Sequence, residues 1–113
     1  MSIWKTTPVD QVPHIKLASW GIYEIVSEFW PEKTRHFVGY NLTEREGRTS
    51  SPIVEFDPMT KRGVTESGRV YELVGSAGHN SDGIYTFNRW CEINGITEIV
   101  DVTEELMHTK TSV

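Results

Sequence analysis

The chain is poor in cysteine, alanine and leucine, and it has no long apolar run. Cys91 is the one cysteine, so no disulfide can form within the chain, and a reducing, cytoplasmic setting is the expectation. No stretch approaches the roughly 18 consecutive apolar residues of a membrane-spanning helix. No basic segment followed by an apolar run opens the sequence as a secretory signal would. Cationic side chains are in the minority: 11 Lys and Arg against 16 Asp and Glu leave a net charge of -5, which argues against general attachment to phosphate backbones. His14, His36, His79 and His108 stand far apart, with neither His-x-x-x-His nor Cys-x-x-Cys spacing. No metal signature is present, and no cofactor is expected.

The 113 residues suit one hydrophobic core, hence a single domain over 1–113. Two alanines and four leucines stand beside abundant valine, isoleucine and threonine, a composition that favours half-buried strands over helices. Residues 1–13, with Pro8 and Pro13 and no clean period, read as an irregular arm. Between 15 and 30 a helical stripe (Ile15, Ala18, Ile22, Ile25, Val26, Phe29) competes with the alternation of a strand. Gly21 and the β-rich composition favour a strand over 20–30, joined by a turn at 31–34 to a second strand over 35–41.

Residues 44–51 are polar and contain Gly47, so they read as a loop. A third strand over 53–57 ends at Asp57-Pro58. Strands over 63–66 and 69–74 would form a hairpin across Ser67-Gly68, with glycine supplying a positive φ. After the glycine- and serine-rich segment 75–83 the period changes. Ile84, Phe87, Trp90, Cys91 and Asn94 recur at helical spacing, with Ser81 or Asp82 as N-cap and Gly95 as stop. A last strand over 96–102 and a short polar turn over 103–108 complete the chain. The expected fold is α+β: an antiparallel, strongly twisted sheet or partly open barrel of five to six strands, its apolar face covered by one main helix at about 82–94 that carries Phe87 and Trp90.

Chemistry has few places to sit. The 75–83 loop leads into a helix N-terminus, where backbone N–H groups and the helix dipole favour anions. It lacks the lysine ending of a phosphate loop, however, and Asp82 adds a negative charge. His79, with Ser76 and Asp82 nearby, supplies the residue types of a base, a nucleophile and an orienting carboxylate. Those types equally make a solvated connector with Asp82 as the cap, and composition favours the connector. Cys91 reads as a small core residue beside Trp90. Trp20, Trp30, Tyr40, Arg69 and Tyr71 are the candidate binding residues, as aromatic or cationic groups on or beside strands. Carboxylates interleaved with the central arginines cancel most of their field, so a salt-laced face is expected rather than a nucleic-acid site.

Residues 47–57 and 65–75 resemble small uncharacterised bacterial proteins, some carried on mobile, integron-type gene cassettes. The resemblance implies an accessory role and no activity. The expectation is a non-catalytic binding or interaction module with a small-molecule or protein ligand; the alternative is a small enzyme, possibly a hydrolase, using the His79 loop. A homodimer is expected from the unpaired edges of an open sheet.

Overall fold

The computed structural model describes residues 13–107. Its elements run β1 (His14–Ser27), β2 (Thr34–Asn41), β3 (Glu46–Thr49), β4 (Ile53–Asp57), β5 (Arg62–Thr65), β6 (Val70–Val74), α1 (Ser81–Ile93), β7 (Ile96–Asp101) and α2 (Thr103–Met107). The fold is α+β, a seven-stranded mixed sheet with one main helix. The arm expected over 1–13 lies, apart from Pro13, outside the described residues, as does His108.

The spine is β1. One edge pairs with β2; the other pairs with β6 over His14 to Ala18 and with β7 over Tyr23 to Ser27. The strand begins six residues before the expected start at Trp20, and the reason for the ambiguous periodicity is a β-bulge. Ser19 has φ 48°, and the register with β2 shifts between Ala18 and Gly21. An extra residue reverses which parity faces inward. Ile15 and Leu17 therefore share an inner face with Trp20 and Ile22, and a single period-2 pattern is lost.

Two further expectations are corrected. The segment expected as a loop over 44–51 contains β3, a strand whose residues are mostly polar, paired antiparallel with β2. The sheet is also mixed rather than antiparallel, because β6 runs parallel to β1. The cause lies between β3 and β4: the chain keeps its sense through residues 50–52 instead of turning back, so the later hairpins bring β6 alongside β1 in the same direction. The sheet order β3-β2-β1-β6-β5-β4 places β3 and β4 at opposite ends of the path. Yet three residues join them, spanning at most roughly 14 Å. The sheet must curl until its ends approach, without closing into a barrel.

Curling creates two apolar faces. The inner face gathers Ile15, Leu17, Trp20, Ile22, Phe37, Tyr71, Leu73 and Val102, with Leu106 and Met107 of α2 packed against it. The outer face carries Ile25 and Val38, covered by Phe87 of α1 with Tyr23, Trp30, Trp90, Cys91 and Ile96 around them. The helix thus covers the smaller cluster, and the larger is enclosed by the sheet itself. Asn80 caps α1 by accepting from the Gly83 backbone N–H at 3.0 Å, in place of the Ser81 or Asp82 expected. The Ser67-Gly68 hairpin forms as expected, with Gly68 at φ 89°.

Candidate functional site

The inward-outward alternation of β2 places Phe37 in the inner core and turns His36 and Val38 to the helix side. On α1, Phe87 and Trp90 are one turn apart and share a face, with nearly parallel rings 6.2 Å apart. Phe87 covers Val38, and Trp90 consequently lies over His36, ring centroids 4.7 Å apart. Trp30, from the β1–β2 connection, stands 6.4 Å from Trp90. These three rings belong to a cleft of about 490 Å³ that is also lined by Pro31, Glu32, Thr34, Ser51, Pro52, Glu66 and Asn94.

His36 is 1% exposed. Its Nδ1 lies 2.7 Å from the carbonyl oxygen of Ser50. A carbonyl can only accept, so Nδ1 carries the proton and the neutral ring leaves Nε2 as an acceptor. The Thr34 hydroxyl, 2.7 Å away, donates to it. Burial pushes the imidazole down to about 4, against the smaller opposing effect of the Ser50 hydrogen bond. This hydroxyl–imidazole pair has the connectivity of a nucleophile and its base, but an imidazole so weakly basic is poorly matched to proton transfer near neutral pH. Its chemistry is that of a rigid, uncharged polar floor.

The indole Nε1 of Trp30 is buried and has no hydrogen-bond partner among the described residues. Leaving a buried donor unmet costs about 1–3 kcal/mol. Trp30 therefore brings an aromatic surface to the cleft and carries a buried polar atom that has no partner among the described residues.

The residues singled out from sequence are dispersed. Of the binding candidates, Trp30 alone lines this cleft. Trp20 is in the inner core, 2% exposed, donating to the Gly75 carbonyl at 3.2 Å. Tyr71 is also in that core, its hydroxyl accepting from the Nε of buried Arg48 at 3.1 Å. Arg69 is buried at the turn end of the β5–β6 hairpin, where its carbonyl accepts from Thr65. Tyr40 is half-buried on β2 opposite Gly47.

His79 is exposed and borders a second groove of about 530 Å³ with Trp20, Tyr23, Asp101 and Glu104, in the gap that β6 and β7 leave along β1. Ser76 and Asp82 do not line it. Burial, with the Asp101 carboxylate adding to it, pushes the Tyr23 phenol up. Cys91 is partly buried beside the Trp90 cluster, and burial pushes its thiol up to about 11. No group of three or more His, Cys, Asp or Glu side chains among the described residues is arranged to hold a metal ion.

Sequence reasoning missed His36, Thr34, Glu32 and Glu66. The available signal was the alternation of His36 with Phe37 and Val38, which puts a histidine on the face that a helix carrying Phe87 and Trp90 must cover. Compared with family models, with curated proteins and with solved structures, the chain matches none.

Proposed function

We propose that the protein is a non-catalytic binding module whose ligand occupies the cleft between Trp30, His36 and Trp90. One observation carries this reading: the cleft joins two tryptophans to a buried neutral imidazole held by Ser50 and Thr34. Small-molecule sites typically combine apolar walls with a few fixed polar groups. The accessory role rests on the resemblance of 47–57 and 65–75 to cassette-borne bacterial proteins, and the cytoplasmic setting on the single cysteine. The test is to map amide shift changes in the ¹⁵N-labelled protein against a library of small polar and aromatic compounds. Perturbations centred on Trp30, His36 and Trp90 are expected. Perturbations confined to the His79 groove, with turnover lost in His79→Ala, would contradict the reading and restore the hydrolytic one.

Self-association belongs to the same reading. Among the described residues β7 is hydrogen-bonded to β1 alone, and its Ile99 and Val100 are 49% and 51% exposed. An apolar edge with unmet backbone groups favours pairing with a second copy about a two-fold axis. Light scattering should give twice 12.9 kDa, reverting to one copy in Val100→Lys. A mass of 12.9 kDa at high micromolar concentration would contradict the dimer.

A further inference from the structure

We infer that the ligand of the Trp30–Trp90 cleft is a small alkylammonium compound, an inference that rests on the cleft being the binding site. Two indole rings line the cleft, and an indole face attracts a cation through its quadrupole. Glu32 and Glu66 approach from different segments, the β1–β2 connection and the β5–β6 turn, so that both charged residues in the lining are acidic. No lysine or arginine lines the cleft. The neighbouring Lys33 has its ammonium 3.8 Å from Glu24, and Arg35, the next cation along, bonds Glu24 as well. His36 is 1% exposed, and burial disfavours its charged form, so it contributes no positive charge.

Every charge presented to the cleft therefore favours a cation, and the walls favour one with an alkyl shell over a strongly hydrated one. The volume, about 490 Å³, falls within the roughly 300–1,000 Å³ of small-molecule sites.

The test pairs choline with 3,3-dimethylbutan-1-ol, which has the same shape and no charge, each titrated against the full chain by indole fluorescence and by amide shifts. Choline should bind saturably and about tenfold more tightly than the alcohol. In the Glu32→Gln, Glu66→Gln double variant the preference should fall several-fold. Both side chains are exposed, and an unchanged circular dichroism spectrum would show that the fold persists. A tighter fit of N-acetyl-trimethyllysine methylamide than of choline would support the same chemistry with the headgroup supplied by a protein side chain. Equal binding of choline and the alcohol at the cleft would overturn the cation and leave the cleft standing. Absence of saturable binding by choline would overturn the cation outright, and if the alcohol and the compound library also left Trp30 and Trp90 unperturbed, the cleft reading would fall with it.

Discussion

Burial moves the buried His36 imidazole and the partly buried Cys91 thiol away from their ordinary ranges. His36 is held near 4 against an ordinary 6.5, so the folded state resists a proton that the unfolded chain accepts. The neutral ring's contribution to stability is complete above about 6.5 and is lost as the pH falls towards about 4, a total of about 3 kcal/mol. Urea unfolding at pH 4 and pH 7 should show this loss in the parent chain and a smaller one in His36→Gln. Equal pH dependence of the two would show that His36 titrates normally. Cys91 has its thiol raised to about 11, leaving almost no thiolate at neutral pH. It should react with an aromatic disulfide reagent at pH 7 far more slowly than after denaturation. A rate in the folded protein that matches the unfolded chain would contradict its burial.

At the scale of elements, the polar strand β3 decides how α1 sits. Gly47 lies opposite Tyr40 on the helix side of the sheet, and a Cβ there would collide with the Asp82 carbonyl and the Thr86 hydroxyl of α1. Gly83 meets the Gly39 carbonyl from the other direction, where an added Cβ would lie 2.9 Å from the oxygen. Gly47→Ala should therefore push the helix off the sheet and cost about 1–3 kcal/mol, read from the midpoint of urea unfolding. Unchanged stability would show that α1 packs less closely. The next residue, Arg48, points to the opposite face and gives its Nε–H to Tyr71.

Strands with apolar alternation, the Gly68 hairpin and the α1 period were all legible in the sequence, because local pattern determines them. β3 was not, since Glu46, Gly47, Arg48 and Thr49 carry no apolar signal and their strand conformation comes from pairing with β2. The parallel pairing of β1 with β6 was equally hidden. It depends on the chain keeping its sense through 50–52, which no local propensity records. The cleft shares this origin: Trp30 was singled out by residue type, but its meeting with His36, Trp90 and Glu66 is a consequence of the curl.

Across the molecule, five of the basic residues among the described ones form ion pairs, Lys33 with Glu24 among them. Arg35 meets Glu24 and Glu105, Arg48 meets Glu44 and Glu46, Arg62 meets Glu72, and Arg89 meets Glu92. The net charge of -5 further opposes the displacement of counterions from a phosphate backbone. Duplex DNA should show no retardation at physiological salt, and micromolar binding that weakens steeply with added salt would contradict this. The cleft, too, is a property of the whole: the β1–β2 connection, β2, the β3–β4 connection, the β5–β6 turn and α1 all contribute to it, and they meet around one imidazole. The state of His36 therefore reports whether the assembly is as described. A long-range ¹H–¹⁵N spectrum of the imidazole nitrogens between pH 3.5 and pH 8 tests this most directly. Nδ1 should carry the proton, Nε2 should be bare, and the ring should titrate near 4. A proton on Nε2, or titration close to the ordinary 6.5, would contradict it.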